Sequence, residues 1–467
     1  MAAVPRTISE AAAAIRAGEL TAVGLTTAML ERIATDNERL GAFVTVCEET
    51  ALEAAATADT ELAAGVDRGP LQGIPLAIKD IIATKEAPTT ANSVVLDPAW
   101  GQGVDAPVVA RLRAAGAVVI GKSTTMEFAC GLPDPGKPFL VPRNPWNVEH
   151  TPSGSSSGTG IAIVAGMALG GLGTDTGGSV RGPAAANGHT GLKVTFGRVP
   201  KNGVVPLGYS LDSVGPMARS AHDCALLLQV MAGHDPGDPD ASTAPVGTYA
   251  DALTGSVAGL RVGVPIPYFF DAPHLDAEVK AAVLGAVDAL AGLGATIVET
   301  EVPLAASAKD ANSITMVAEA FAYHRNDLVS RWTDYGRHTR LQLGRAALLT
   351  AADYAQAQRV RTAFRRALTK VFADVDVLIT PTMPTPAPKA DDMRLESTID
   401  KPSFTGMWNL SGLPACAAPV GFSDGGLPLS MQIVAKPFDE ATALRVADAY
   451  QRITDWHLQA PAVAVSA

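Results

Sequence analysis

Gly173-Thr-Asp-Thr-Gly-Gly-Ser-Val-Arg-Gly-Pro183 is the most informative stretch of this 467-residue chain. Gly177 and Gly178 allow the backbone to turn sharply, because they lack the Cβ that disfavours a positive φ. Such a turn can direct successive N–H groups into one hollow, which then suits an anion. Ser179 follows at once, so a hydroxyl stands beside donors able to stabilise an oxyanion. An ordinary glycine-rich loop has the same composition, and this stretch alone does not decide between the two.

Two further polar features stand where polar groups are unexpected. Thr151-Pro-Ser-Gly-Ser-Ser-Ser-Gly-Thr-Gly160 has the composition of a linker, yet it lies mid-domain and leads into an apolar helix of small residues. Lys79 ends the apolar run Gly73-Ile-Pro-Leu-Ala-Ile-Lys-Asp80, where a lysine is costly unless its charge is paired or lost. Taken alone, Lys79 also fits a strand-end lysine that reaches solvent.

Two familiar motifs match the sequence, but the secondary structure predicted around each one does not fit the motif. Residues 116–123, GAVVIGKS, fit the phosphate-loop formula, but the four residues between the glycines favour a strand rather than a flexible turn. Residues 154–158, GSSSG, fit a nucleophile elbow, but turn-forming residues precede them instead of a strand. Neither nucleotide binding nor an α/β-hydrolase is therefore indicated.

Apolar runs and helical periodicity alternate along the chain, which predicts α/β layering around a largely buried sheet. Strands are predicted near residues 73–80, 117–120, 260–265, 295–300 and 375–380. Helices are predicted near residues 7–35 (two, capped by Thr7 with Glu10 and by Thr21), 46–64, 106–115, 160–170 and 276–293, and through most of 305–372. Residues 171–183 are predicted to form a turn. No repeat or long linker interrupts the pattern, so residues 1–467 are expected to form one domain.

Composition argues against several classes of protein. The formal net charge is −11 and no block of lysine or arginine occurs, so no electrostatic footprint for nucleic acid or an anionic membrane is visible. The four cysteines and eight histidines are dispersed, and neither a metal nor a cofactor is expected. The N-terminus lacks the apolar stretch of a signal peptide. A soluble cytoplasmic protein with free thiols is expected.

The chain resembles the amidase-signature family. The hallmark is GTDTGGSVRGPA (173–184) after a Ser/Gly stretch, with the strand lysine of GIPLAIKD (73–80). Ser155 lies 24 residues before Ser179, and Lys79 lies 76 residues before Ser155, which agrees with the family spacing. Similar segments cover nearly the whole chain and are weak only in 240–370: GKSTTMEFA (121–129), RNPWN (143–147), GLKVTFGRVPKNG (191–203), SLDSVGPMARS (210–220), DVLITPTMPTP (376–386), NLSGLPACAAPVGFSDGGLP (409–428) and Asp455-Trp-His457. The resemblance implies a single α/β/α layered domain with a large mixed sheet covered by helices. Its signature core would span about 70–220 and its variable substrate-pocket region about 236–400.

The resemblance also implies the catalytic roles. Ser179 would be the nucleophile, Ser155 the bridging serine and Lys79 the base, with a cis peptide bond between Gly154 and Ser155. Lysine accepts a proton only if its pKa falls well below ~10.4, and burial can lower it by up to ~3–5 units. We therefore expect Lys79 to be desolvated and neutral, and Ser155 to relay the proton of Ser179.

The same resemblance assigns supporting groups. Asp175 and Arg181 would brace the turn formed by Gly177 and Gly178 before Ser179, which is called the nucleophile turn below. Ser153 and Ser157 stand where the family usually has glycine, and a serine fits there if its φ is negative. The oxyanion hole would consist of the backbone N–H groups of Thr176, Gly177, Gly178 and Ser179.

The expected reaction is hydrolysis of amide-like C–N bonds, of aryl acylamides or carbamates among others. An apolar substrate pocket is expected to be lined by Met126, Phe128, Leu132 and Trp408. The expected partner is a small-molecule amide or carbamate, without nucleic acid or membrane, and the chain is expected to be a monomer or homodimer.

Two alternatives remain open. The first is the A subunit of a glutamine-dependent aminoacyl-tRNA amidotransferase, which shares the fold and triad. Such subunits carry an acidic residue two positions before a Phe-Thr pair, whereas Lys401-Pro402-Ser403-Phe404-Thr405 places proline there. The second is a catalytically silent binding protein, against which all three catalytic residues argue.

Overall fold

A large mixed sheet runs through the computed structural model, which describes residues 4–393 and 403–462. The strands are β1 Phe43–Val46, β2 Pro75–Lys79, β3 Val118–Ser123, β4 Gly170–Asp175, β5 Thr190–Lys193, β6 Ser213–Ala218, β7 Arg261–Pro265, β8 Thr296–Thr300, β9 Val377–Pro381, β10 Ala415–Phe422 and β11 Pro428–Ala435. Within the described residues these form one eleven-stranded sheet in the order β1-β3-β2-β4-β6-β5-β10-β11-β9-β7-β8. Strand β2 pairs in parallel with β3 and β4, and β7 pairs in parallel with β8 and β9, whereas the remaining pairs are antiparallel.

Helices accompany this sheet, some packed on its strands and others packed on one another. They are α1 Ile8–Arg16, α2 Ala22–Leu40, α3 Glu48–Ala63, α4 Pro107–Ala114, α5 Ser157–Val164, α6 Arg181–Asn187, α7 Ala221–Met231, α8 Ala277–Gly292, α9 Ala305–Ser330, α10 Arg337–Gly344, α11 Ala351–Asp374, α12 Gly406–Ser411 and α13 Glu440–Gln451. Thr7 and Glu10 form the expected capping box of α1, and Thr21 caps α2 by accepting a hydrogen bond from the N–H of Gly24. The expected mixed α/β fold is confirmed. None of the helices within the described ranges has the length and apolar character needed to cross a bilayer.

The prediction of a turn from residue 171 is wrong, because residues 170–175 form β4, an interior strand of the sheet. Glycine is rare in strand interiors, but here the neighbours leave no room for a side chain. A Cβ at Gly171 would lie 2.3 Å from the carbonyl oxygen of Ala77 on β2, and one at Gly173 would lie 2.5 Å from the sulfur of Met217 on β6. Close packing of the strand therefore explains a composition that is typical of turns.

The parallel pairing of β2 with β4 positions the site. Leu76 pairs with Gly170 and Ile78 with Leu172, so both strands end at the same edge of the sheet. Lys79 is the last residue of β2, and Asp175 is the last residue of β4. Because ligands of α/β sheets bind beyond the carboxyl ends of parallel strands, this edge is where a site is expected.

Candidate active site

Lys79 lies at the centre of a buried polar cluster. Its Nζ is 2.7 Å from Oγ of Ser155 and 2.7 Å from Oγ1 of Thr174. The Lys79 side chain is fully buried, and Ser155 is 3% exposed. The structure thus brings two of the three expected catalytic side chains into hydrogen-bond contact across 76 residues of sequence.

Burial lowers the pKa of Lys79 to about 7 from its usual value of 10.5. The carboxylates of Asp175 and Asp212 act in the opposite direction, because negative charge favours the protonated amine. Burial has the larger effect, so a large fraction of Lys79 is neutral at pH 7. A neutral amine in contact with a hydroxyl can accept its proton.

The nucleophile turn meets the Ser/Gly stretch through the backbone. The peptide bond between Gly154 and Ser155 is cis. The N–H of Ser156 donates to the carbonyl oxygen of Ser179 at 3.2 Å. Within the described part of the chain the Ser179 hydroxyl makes no hydrogen bond, so the contact between Lys79 and Ser155 is formed while that between Ser155 and Ser179 is not.

Asp175 organises the nucleophile turn. Its carboxylate accepts hydrogen bonds from the N–H groups of Gly178 at 2.8 Å and Val180 at 3.1 Å. The guanidinium of Arg181 donates to the same carboxylate through Nε at 3.0 Å and Nη2 at 2.8 Å. Burial alone would raise the pKa of Asp175, but the charge and hydrogen bonds of Arg181 outweigh it and hold that pKa below its usual range.

Arg181 also joins this turn to the C-terminal part of the chain. Its Nη1 donates to the carbonyl oxygen of Thr405 at 3.0 Å and to Oε1 of Gln432 at 2.9 Å, and its Nη2 donates to Oδ1 of Asn409 at 2.7 Å. The Nδ2 of Asn409 donates a hydrogen bond to the carbonyl oxygen of Asp175 at 2.8 Å. The arginine is fully buried, and its contacts join the turn to residues 405, 409 and 432.

Gly178 lies in a backbone conformation that favours glycine. Its φ is +130°, and a Cβ there would lie 2.4 Å from Oγ1 of Thr405. The hydroxyl of Thr405 donates to the carbonyl oxygen of Gly177 at 2.6 Å, which satisfies that carbonyl. Of the four N–H groups expected in the oxyanion hole, that of Gly178 is bonded to Asp175. Those of Thr176, Gly177 and Ser179 have no hydrogen-bond acceptor among the described residues.

Ser153 departs from the expected backbone path. Its φ is +60°, in the left-handed region, whereas a negative value was expected for a serine at this position. Its N–H donates to Oγ1 of Thr151 at 3.1 Å, which compensates for part of the strain. Ser157 begins α5.

The four expected pocket residues do not share one wall. Met126 packs against Gly154, since a Cβ on that glycine would lie 2.6 Å from Cε of the methionine. Phe128 is 2% exposed and lies among aromatic core rings, and Trp408 is fully buried with its ring 6.0 Å from that of Phe269. Leu132 is half-buried and lines a narrow cleft. The structure thus brings Met126 against the cis peptide segment at Gly154 and Ser155, and places Phe128 and Trp408 in the core.

Several residues of the site were missed by sequence reasoning. Thr174 contacts Lys79, and Asp212 accepts a hydrogen bond from Oγ1 of Thr176 at 2.5 Å. Both lie inside segments that resemble the family, and this position could have indicated that they belong to the site. Asn312 and Thr405 flank the turn but stand far away in sequence, and the region around Asn312 is where the resemblance is weak.

Comparison with known proteins identifies the relatives of this chain. Residues 24–444 match the family model described as Amidase. The A subunit of a glutamyl-tRNA(Gln) amidotransferase from Roseiflexus sp. (strain RS-1) is 43% identical over 485 residues, covering 97% of this chain and 98% of that relative. A structure from a vestigial protein complex, described as revealing the origins of an s-triazine catabolic enzyme, is 32% identical with a TM-score of 0.89 and covers 96% and 98% of the two chains. A peptide amidase from Stenotrophomonas maltophilia is 30% identical with a TM-score of 0.83 and covers 96% of each chain.

The expected set of partners is wrong. It named only a small-molecule amide or carbamate, excluded nucleic acid and allowed a monomer or homodimer. The amidotransferase relatives are named for a tRNA and as one subunit of a larger enzyme. Net charge averages over the whole surface of one chain, so it does not decide whether that chain belongs to a complex with nucleic acid.

Proposed function

The chain belongs to the amidase family and hydrolyses carbon–nitrogen bonds, and we propose that it is the amidase subunit of a glutamine-dependent aminoacyl-tRNA amidotransferase. Likeness to the amidotransferase relatives, at 43% identity over nearly the full length of both chains, carries this proposal. The substrate of the chain itself would be the side-chain amide of glutamine, and tRNA and further subunits would be partners of the complex. All four cysteines are free and buried, which supports the reducing cytoplasm as the location.

The catalytic cycle assigns one role to each side chain of the triad. Neutral Lys79 takes the proton of the Ser155 hydroxyl, while Ser155 takes the proton of Ser179. The Ser179 oxygen attacks the amide carbonyl, and the proton held by Lys79 returns through Ser155 to the leaving nitrogen. Ammonia departs, an acyl-enzyme remains, and water hydrolyses it by the same route. The contact of 2.7 Å between Lys79 and Ser155 supports this assignment, and rotation of the Ser179 hydroxyl towards Ser155 would complete the relay.

The oxyanion would be held by three N–H groups rather than four. Those of Thr176, Gly177 and Ser179 have no acceptor in residues 4–393 and 403–462, whereas that of Gly178 is bonded to Asp175 at 2.8 Å. Removal of one such donor typically lowers the rate by ~10²–10³. The Gly178 N–H would instead stabilise the conformation of the turn through its hydrogen bond to Asp175.

A second candidate is an amidase that works alone. Pro402, which stands where the amidotransferase chains carry an acidic residue, favours it, although this residue lies outside the described part of the chain. The groups beside Gly177 also lack charge, since Asn312 and the sulfur of Met316 are what a Cβ there would meet. An uncharged wall suits amides without the ionic groups of an amino acid, including aryl acylamides and carbamates.

Purification from the native host with a tag on this chain distinguishes the candidates. The first predicts stoichiometric partner subunits, together with ammonia release from glutamine that increases in the presence of glutamyl-tRNA. The second predicts a chain that purifies alone and turns over anilides, aliphatic amides or aryl carbamates but not glutamine. Either result shows whether the chain works in a complex or alone, but neither tests the roles of Lys79, Ser155 and Ser179.

The triad is tested separately with Ser179→Ala and a matched control, Ser157→Ala. Both remove one buried or half-buried hydroxyl from the same region, but the Ser157 hydroxyl lies at the start of α5 and donates only to the carbonyl oxygen of Thr124 at 3.5 Å. We expect Ser179→Ala to abolish turnover and Ser157→Ala to retain most of it. Activity in Ser179→Ala would remove this serine from the nucleophile role.

A further inference from the structure

A second cavity lies against α11, separate from the catalytic triad. Its volume is about 590 Å³, and none of Lys79, Ser155 and Ser179 lines it. Helix α11 contributes Arg365, Leu368, Thr369, Phe372 and Ala373. The first four of these follow the spacing of one helix face, so the cavity is formed along the helix rather than at its end.

The lining of this cavity is mainly apolar. Leu368 and Phe372 from α11 and Leu413 after α12 are buried side chains that also border the cavity. Phe196 and Phe438 supply aromatic walls, and Phe438 is 38% exposed. A concave apolar surface of this size that remains open to solvent is the usual form of a small-molecule site.

The wall at Phe438 is held in a strained conformation. Its φ is +63°, a value that a bulky residue adopts rarely. The guanidinium of Arg198 lies 4.6 Å from the ring centroid, and the N–H of Phe438 donates to Oγ1 of Thr195 at 2.8 Å. These contacts keep the ring at the rim of the cavity, and strain of this kind is concentrated at functional sites.

One cation at the cavity has no acidic partner within the described residues. The Nε of Arg365 donates to the carbonyl oxygen of Ser411 at 2.8 Å, and the other N–H groups of this guanidinium have no acceptor there. Lys436, also at the cavity, differs because its Nζ lies 3.3 Å from Oδ1 of Asp376. A guanidinium with free N–H groups matches the two oxygens of a carboxylate.

We propose that this cavity binds an amphipathic carboxylate, a medium-chain or arylalkyl acid, with Arg365 holding the carboxylate and the apolar lining holding the tail. The charge of Arg365 selects an anion, and Phe372, Leu413 and Phe438 select an apolar body. The site is distinct from the active site, so it requires no assumption about the amide that the chain cleaves.

Calorimetric titration of the whole chain with octanoate at neutral pH tests the proposal. We expect saturable binding below about 2 mM and no comparable binding of octanol, which has the same tail without the charge. Loss of a charge-assisted hydrogen bond weakens binding about tenfold or more, so Arg365→Gln should show that loss. Arg366→Gln is the matched control, since Arg366 is the next residue of α11 and lines a different cleft, and it should bind like the wild type.

Ala373→Trp provides an independent variant. Ala373 is exposed at the end of α11 and borders the cavity, so a large side chain there should fill the cavity without disturbing the core. We expect it to abolish octanoate binding. The proposal is overturned if octanoate does not bind, if octanol binds equally well, or if Arg365→Gln and Ala373→Trp bind like the wild type. The last result would place the carboxylate elsewhere, in the active site for example.

Discussion

The reactivity of Ser179 should follow the titration of Lys79. If Lys79 is the base, only its neutral form supports attack, and the rate must fall with the neutral fraction as the pH is lowered. A fluorophosphonate that labels the active serine measures this reactivity directly. The assay needs no knowledge of the natural substrate.

The structure gives the size of the effect. Burial lowers the pKa of Lys79 from 10.5 to about 7. At pH 7 about half of the lysine is then neutral, whereas a pKa of 10.5 would leave only about one part in 3,000. The buried position therefore increases the population of the reactive form about 10³-fold at this pH.

The second-order rate of labelling should be measured between about pH 5 and pH 9. We expect it to rise about tenfold per pH unit below a midpoint near 7 and to level off above it, since the neutral fraction then approaches one. Lys79→Arg should react at a low rate throughout, because arginine stays charged. A midpoint near 10, or a rate independent of pH in the wild type, would refute the assignment of Lys79 as base.

Lys193 provides a matched control for the midpoint. It is also fully buried, burial lowers its pKa to about 7 as well, and its Nζ donates to the carbonyl oxygen of Val194 at 2.7 Å. It does not contact the catalytic serines. We expect Lys193→Met to leave the labelling midpoint within a few tenths of a pH unit, as a small electrostatic change would. A large shift in that variant would assign the titration to Lys193 instead.

Three further variants test the energetics of the site. The pKa of Lys79 is lower in the folded than in the unfolded chain, so the unfolded state binds more protons between about pH 7 and pH 10, and stability should rise with pH there. Lys79→Met should reduce this slope by the share of Lys79, worth at most ~5 kcal/mol, and leave the similar share of Lys193, in urea unfolding at several pH values. Arg181→Met leaves the buried carboxylate of Asp175 without its cation and should lower the free energy of unfolding by ~3–5 kcal/mol, so an unchanged urea midpoint would contradict the bracing role. Gly178→Ala introduces a Cβ at φ +130° and 2.4 Å from Oγ1 of Thr405, so it should reduce fluorophosphonate labelling at least tenfold, and wild-type labelling would show that the turn tolerates another path.

The strands that the sequence predicts are those whose residues are mostly apolar, as expected for buried strands. Residues 75–79, 118–123 and 377–381 are apolar runs between turn residues, and they form β2, β3 and β9. Strand β4 escaped prediction because its glycines are required by the close approach of neighbouring strands, through the carbonyl oxygen of Ala77 at Gly171 and the sulfur of Met217 at Gly173. That requirement is tertiary, so no local pattern reveals it.

The residues of the site also divide into those that local sequence reveals and those that only tertiary contacts reveal. Lys79, Ser155 and Ser179 follow from motif spacing, because each lies in a short segment of distinctive composition. Asn409 and Thr405 act on the nucleophile turn from 234 and 228 residues away, respectively. Asn409 lies in a segment that resembles the family, but neither segment indicates which turn its side chain contacts. Sequence therefore predicts the reacting groups better than the groups that hold them in place.

The burial of Arg181 is explained by the need to keep a carboxylate ionised beside the buried Lys79. Negative charge near a lysine favours its protonated form, and Asp175 and Asp212 both raise the pKa of Lys79 against the effect of burial. Asp175 has to be ionised nonetheless, because its carboxylate accepts the Gly178 N–H and so shapes the nucleophile turn. Two hydrogen bonds from Arg181 place a positive charge beside that carboxylate and keep it ionised despite its burial. The ion pair thus lets a carboxylate shape the turn, while burial lowers the pKa of the neighbouring lysine against the field of that carboxylate.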